Sequence, residues 1–514
     1  MKKNISINKF LLAIVLLLTL IVATTNIVLP VGKIQTANAD SGIKEITIFS
    51  WEDYIDEGYS YKGDDEPSEY LQENYAREEL ETSIVELFEQ ANPDIKVNYS
   101  SFATNEEMYN ELLKDPTAVD LICPSEYMIM KMKDENLIKP YTMPQNYANY
   151  GSPYIKSVFE KLGLNTEDGK TYATGYMWGT MGLIYDAEKF TDADFVHWAN
   201  LFDEKFEGKI TIKDSLRDSY IMAVAIVHEQ ELLNVKNQYE NGDISEEKYT
   251  DTLFELFNDV SAETVEKVKD VLVELKRNLY GFEVDAGKND LLTGKIDVNF
   301  AWSGDAVFSM WEADKVGKEL RYVVPEEGSN VWFDGYVMTK NADEESALKF
   351  LDFICQPEIA VRNIDYVGYT SCIAGDTVFD YVTNNFGDEE GDIEVDLSYF
   401  FGEGNDYKLT VSDGEDGYYR HLYAQYADED TIRRCAVMDN FSTEDLVVVN
   451  EMWSEVKLIT FTDTAIILIV VGILLVILLA VFIKYRDKIL GVKISDKERK
   501  VKAGLKVVKK ETII

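Results

Sequence analysis

Between residues 43 and 354, short apolar runs of strand character alternate with longer segments whose apolar residues recur at helical spacing, and nothing else in the chain constrains its fold as much. The runs at 43–49 (IKEITIF), 95–99 and 119–122 predict strands. Helices are expected at 78–90, where Leu80, Ile84, Leu87 and Phe88 share a face, and at 106–113. Further strands are expected at 182–185, 209–212, 297–301, 322–324 and 336–338, with helices at 219–233, 262–278 and 344–354. Strand and helix in turn give parallel sheets covered on both faces, so the class is α/β with doubly wound lobes. A chain of 514 residues is long enough for two such lobes, each burying its own core. The acidic segment 56–74 and the Gly/Asp-rich stretches within 386–417 read as surface insertions.

In open parallel sheets ligands gather at the C-terminal ends of strands. Three times a Trp lies there within three residues of a carboxylate: Trp51-Glu52-Asp53-Tyr54, Trp302-Ser303-Gly304-Asp305 and Trp332-Phe333-Asp334. One such pair alone is more often a packed Trp beside a solvated acid. Three together suit an organic cation, because aromatic faces attract ammonium groups and pack on methylenes while carboxylates accept charge-assisted hydrogen bonds. Each buried nitrogen needs an acid, since desolvating an unpaired ammonium costs several kcal/mol.

Charge excludes other classes. Residues 40–458 hold 35 Lys/Arg against 88 Asp/Glu, a surface that repels nucleic acid. Cys123, Cys355, Cys372 and Cys435 have no CxxC or Cys/His spacing, and His197, His228 and His421 show no metal spacing, so neither a metal nor a cofactor is expected. Lys2, Lys3 and Lys9 precede an apolar run to residue 30 and a small-x-small site at Ala37-Asn38-Ala39, which reads as a secretory signal over 1–39, with an uncleaved anchor as the alternative. Residues 465–483 are 19 apolar positions followed by Lys484, Arg486 and Lys488. They predict a transmembrane helix with a basic cytoplasmic tail, 484–514, and an exported domain over 40–458 tethered to the cell membrane.

Read in order, WEDY at 51–54, NEEMY at 105–109, PSEYMIMKM at 124–132, YMWGTMGLIYD at 176–186, HWANLFDEKFEGKI at 197–210, DSLRDS at 214–219, WSGDA at 302–306, VVPEEGSNVWFD at 323–334 and VGYTS at 367–371 resemble the spermidine/putrescine-binding proteins of ABC transporters. The resemblance implies a type II periplasmic-binding-protein fold with lobe 1 at about 43–175 and 332–385 and lobe 2 at about 176–331 and 386–458. It implies a polyamine ligand in the cleft, putrescine or spermidine, delivered to a membrane permease driven by a cytoplasmic ATPase. The ligand residues it implies are Trp51, Asp53, Tyr54, Ser125, Tyr127, Asp218, Trp302, Asp305, Trp332, Asp334 and Tyr369, followed by Glu52, Glu126, Asp214 and Ser215. Ser215 stands where spermidine binders often carry an acid, and Asp305 matches an acid of putrescine-selective relatives. Arg217 is expected in a structural ion pair.

No nucleotide-binding loop is present, so the chain carries no ATPase of its own. A binder of another small solute in the same fold is the nearest alternative. A secreted glycoside hydrolase is the enzymatic one, because paired carboxylates in a Trp-lined cleft also suit sugar chemistry. A tethered polyamine sensor is the third.

Overall fold

The computed structural model describes residues 43–458 except 63–65, 404–406 and 415–416. Two sheets share one long strand, Ala173–Asp186. Its first half, Ala173 to Thr180, runs antiparallel to Val331–Thr339. Beyond that strand come Leu121–Ile122, Lys44–Trp51 and Ile95–Phe102, the last three parallel to one another. Its second half pairs through Met181 to Tyr185 with Val298–Trp302 and on its other edge with Leu320–Val323. Ile210–Lys213 and Leu279–Glu283 extend this second sheet in parallel. The two sheets thus meet along Ala173–Asp186, and Val331–Thr339 beside it belongs to the first; the residues of both strands are all buried.

Helices cover the sheets because the intervening segments are amphipathic and capped. Ile84–Ala91 begins with a reciprocal Ser83–Glu86 capping box and buries Ile84 and Phe88. Leu216–Val227 follows Ile210–Lys213 directly, with Ser215 as N-cap accepting the Asp218 N–H at 3.4 Å. The helix expected at 219–233 is two helices, Leu216–Val227 and Glu229–Glu240, divided at His228. The long shared strand exceeds the expected 182–185 because glycines break its apolar run. A Cβ on Gly179 would lie 2.4 Å from Ser303 Oγ and 2.7 Å from the Trp332 ring, and one on Gly182 would lie 2.5 Å from Val323 O. The glycines let neighbouring side chains press against the backbone. All four cysteines are buried free thiols.

The expected fold included a transmembrane helix at 465–483; the correction the structure makes extends to the described residues, among which no helix is long and apolar enough to cross a membrane. The longest, Thr443–Lys457, has 15 residues. It would span about 22 Å of the roughly 30 Å required, and it carries Glu444, Asp445, Glu451 and Glu455. The segments 465–483 and 1–39 lie outside the described residues.

Candidate functional site

Parallel neighbours in the second sheet bring Trp302, Lys213 and Glu283 to the C-terminal ends of three adjacent strands. From the first sheet come Trp51, at the end of its strand, and Ser125, which follows Leu121–Ile122 and starts the helix Glu126–Asp134. Trp332 and Asp334 lie on Val331–Thr339, the neighbour of the shared strand in the first sheet. Strand ends from both sheets therefore converge on one cleft.

Asp334 is its centre. Tyr54 donates its hydroxyl to Oδ2 at 2.7 Å and Ser125 donates its hydroxyl to Oδ1 at 2.7 Å. Ser125 is an N-cap residue whose side chain makes no cap bond to its own helix; its hydroxyl is committed to Asp334. Asn105 holds Ser125 in turn, donating from Nδ2 to Ser125 Oγ at 3.1 Å and to the Tyr127 hydroxyl at 3.0 Å and accepting the Ser125 N–H at 3.2 Å. Burial pushes the Asp334 carboxyl up to about 6 against the pull of both hydroxyls, and the charge of Asp218 adds to the push.

Asp218 sits across the cleft in the first turn of Leu216–Val227 and is also buried. Burial raises its carboxyl to about 6, against the Ser215 hydrogen bond and the field of Lys213. Among the described residues neither Asp334 nor Asp218 has a Lys, Arg or His within ion-pair distance, although the chain forms many such pairs elsewhere. Buried carboxylates are ordinarily paired.

Asp305 has the opposite environment. It accepts from Lys213 Nζ at 2.9 Å and from the Tyr369 hydroxyl at 3.0 Å, and Lys288 Nζ lies 3.6 Å away. Burial would raise its carboxyl, but the two lysines outweigh that and hold it below the usual carboxylate range. Lys213 is itself buried. Its ammonium also reaches Glu283 at 3.2 Å and Val284 O at 2.8 Å, and it lies 4.2 Å from the centre of the Trp302 ring. The Trp302 and Asp305 pair thus encloses a cation supplied by the protein.

The walls are aromatic. Tyr369 stands edge-on to Tyr54 and to Trp332, each with centroids 5.6 Å apart. A Cβ on Gly304 would meet the Tyr369 ring at 2.4 Å, so glycine there admits the ring. Trp332 donates its indole N–H to Thr180 O at 3.3 Å. Trp51 packs on Phe102 at 4.8 Å, and its buried indole N–H meets no acceptor among the described residues. Arg217, expected in an ion pair, instead lies 4.6 Å from the Tyr127 ring centre and 3.6 Å from that of Phe441, and donates to Asp439 O. Tyr127 follows a strand of the first sheet and Arg217 a strand of the second, so this contact spans the cleft.

The remaining expected residues lie elsewhere. Glu52 and Asp53 are exposed in the turn after Trp51, Asp53 with a φ of 50°. Glu126 is fully buried and accepts the backbone N–H groups of Phe333 at 3.0 Å and Met438 at 3.3 Å; burial pushes its carboxyl up to about 8. Asp214 pairs with Lys457 on the last helix at 2.6 Å. Ser215 acts as a helix cap. Sequence reasoning missed Asn105, Lys213, Glu283 and Lys288. Lys213 had a readable signal, a charged residue closing the buried run ITIK.

Known proteins share this architecture. A family model described as bacterial extracellular solute-binding protein matches residues 83–375. The chain is 25% identical over 280 residues to the spermidine/putrescine-binding periplasmic protein of Escherichia coli (strain K12), covering 54% of this chain and 70% of that one. It is 23% identical over 341 residues to the putrescine-binding periplasmic protein PotF of the same strain, covering 64% and 78%. Among solved structures, a putative spermidine/putrescine ABC transporter from Listeria monocytogenes aligns with a TM-score of 0.54 at 24% identity, over 81% of this chain and 99% of that one. The substrate-binding protein PotD from Streptococcus pneumoniae aligns at 0.52 and 23%, over 80% and 98%. These structures share the type II periplasmic-binding-protein fold.

Proposed function

We propose, of a chain that belongs to the bacterial extracellular solute-binding protein family, that its cleft captures a polyamine with two ammonium groups, putrescine in the first instance. The family is one of solute-binding proteins, not of enzymes. The observation that carries the reading is the pair Asp334 and Asp218, two buried carboxylates facing one cleft with no basic side chain in ion-pair reach among the described residues. A diamine brings one cation to each. Its methylenes gain roughly 0.8 kcal/mol apiece on leaving water, and Trp332, Tyr54 and Tyr369 supply the apolar wall.

Asp305 bears on ligand length. Lys213 already neutralises it and covers Trp302, so a third nitrogen of spermidine would compete with a resident ammonium. The contact of Arg217 with Tyr127 then acts as a clasp that forms when the lobes close over the ligand. The names of the relatives support delivery of the captured ligand to an ABC permease on the outer face of the cell membrane.

Calorimetric titration of the full-length protein, stripped of carried-over ligand by unfolding and refolding, tests this with putrescine, cadaverine, spermidine and spermine. One-to-one binding with the diamines tighter than spermidine is expected. Absence of binding by folded protein to all four would overturn the polyamine reading, and tighter spermidine binding would overturn the role given to Lys213.

A further inference from the structure

A second chemically distinct cluster lies on the second lobe. His197 precedes the short helical turn Trp198–Phe202, Glu229 opens the helix Glu229–Glu240, and Glu327 lies in the loop leading into Val331–Thr339. One ligand atom from each lies within 4.8 Å of the other two. Glu327 is 2% exposed. Its Oε1 lies 2.8 Å from His197 Nδ1, while its Oε2 is buried and has no hydrogen-bond partner among the described residues.

Nearby bases do not explain that oxygen. Lys236 engages Glu326, and Arg434 donates to Val324 O and Pro325 O. A buried carboxylate oxygen left without a partner is costly, and the charge of Glu229 adds repulsion to the burial that raises the Glu327 carboxyl. The loop is held in place independently: Trp198 donates its indole N–H to Gly328 O at 2.8 Å, and a Cβ at Gly328 would fall 1.8 Å from Arg434 O.

We propose that His197, Glu229 and Glu327 form a divalent transition-metal site, with zinc as the fitting ion. One imidazole and two carboxylates, with water as fourth ligand, make a borderline donor set that suits Zn²⁺ over Ca²⁺ or Mg²⁺, which take oxygen ligands in larger number. Zinc bonds of about 2.0–2.2 Å require the side chains to draw in by side-chain rotation. The ion satisfies the Glu327 oxygen, removes the Glu229 repulsion and ties together three segments far apart in sequence. One of these segments leads into the strand that carries Trp332 and Asp334.

Full-length protein purified without a histidine tag and treated with chelator is titrated with ZnCl₂ against a chromogenic chelator, and its melting temperature is followed with and without zinc. One equivalent bound, with a raised melting temperature not reproduced by CaCl₂ or MgCl₂, is expected. His197→Gln keeps a hydrogen-bond donor for Glu327 but is a poor zinc ligand, and should weaken binding at least about 10- to 100-fold, the scale seen when even a supporting hydrogen bond of a metal site is lost. Glu229→Gln, at a partly exposed position, gives the same result in a variant expected to fold. Zinc affinity unchanged in both variants, no zinc binding by the wild type, or equal shifts with calcium would each overturn the site.

Discussion

Lys213 places its ammonium 4.2 Å from the centre of the Trp302 ring and 2.9 Å from Asp305 Oδ2, filling with a protein cation the position that the sequence motif offers to a ligand. Burial alone would lower the Lys213 ammonium, yet Asp305 and Glu283 raise it above its ordinary value, so it stays charged across the physiological range. On the proposed polyamine reading, a resident cation limits how many ligand nitrogens the cleft takes.

Replacing Lys213 by Met should therefore change selectivity. Glu283 loses its cation and keeps the Gly287 N–H, while Asp305 keeps Lys288 and the Tyr369 hydroxyl, so the ligand-free variant is expected to lose stability on the scale of about 3–5 kcal/mol. Spermidine, with a third nitrogen available, should restore much of the melting temperature, and its affinity relative to putrescine should rise at least tenfold. Titrations of wild type and K213M with both ligands check this. An unchanged ratio would show that Lys213 does not set ligand length.

The three buried acids should separate by phenotype. Asp334→Asn and Asp218→Asn remove carboxylates whose partner is the ligand, so affinity should fall by about 2–5 kcal/mol, the usual cost of truncating a buried charge pair. The ligand-free melting temperature should hold or rise, because burial disfavours these charges in the folded state. Asp305→Asn instead leaves Lys213 with Glu283 as its one carboxylate, beside the Val284 carbonyl and the Trp302 ring. Its stability loss should stay below the cost of breaking an isolated buried pair, about 3–5 kcal/mol, with a smaller change in affinity. Thermal melts beside titrations read both quantities for each variant.

Titration of the same two acids gives a pH dependence. Each carboxyl stands at about 6 in the fold against an ordinary 3.8. Between those values the folded protein holds protons that the unfolded chain has released, so these groups make the ligand-free protein less stable as pH rises through the window and add no further change above it. A dication requires both acids ionised. Polyamine affinity should thus rise from pH 5 to pH 7 and level off, with protons released on binding below pH 6, at about tenfold per unit for each carboxyl well below its value. Calorimetry in buffers of different ionisation enthalpy counts those protons. A flat profile would show that the ligand does not neutralise this pair.

Much of this site was legible because chemistry collects at strand ends. Trp51 and Trp302 each close a strand, while Trp332 lies one residue into its own and not at its C-terminal end. Lys213 could be noticed as a charge closing a buried run, but its role could not be read, because its partner Trp302 is distant in sequence and meets it only through the parallel pairing of Ile210–Lys213 with Val298–Trp302. The role of Glu126 was hidden for a related reason. Its neighbour Ser125 faces the cleft, while Glu126, one step into a helix, turns inward to the backbone of Phe333 and Met438. The long strand Ala173–Asp186 was foreshortened by glycines that local propensity reads as breaks but that Trp332, Ser303 and Tyr322 need for close approach. Helix Glu344–Ile354 matched its expected range because its amphipathic period is local information.

Arg217 offers a test of closure separate from ligand charge. Its guanidinium lies over Tyr127, which follows a strand of the first sheet, and over Phe441, and it donates to the Asp439 carbonyl. Burial lowers its affinity for its proton without neutralising it. Of these contacts only the one with Tyr127 spans the cleft, so on the closure reading Arg217→Ala should leave the association rate nearly unchanged and speed release. A desolvated cation–π contact is worth about 0.5–2 kcal/mol, which corresponds to release about 2- to 30-fold faster. Arg217→Lys should recover little, because an ammonium cannot stack as a plane between two rings. Stopped-flow measurement of putrescine binding through tryptophan fluorescence, with Trp332 as the reporter in the cleft, separates the two rates. A slower association rate with unchanged release would mean that Arg217 shapes the open lobe and does not clasp the closed one.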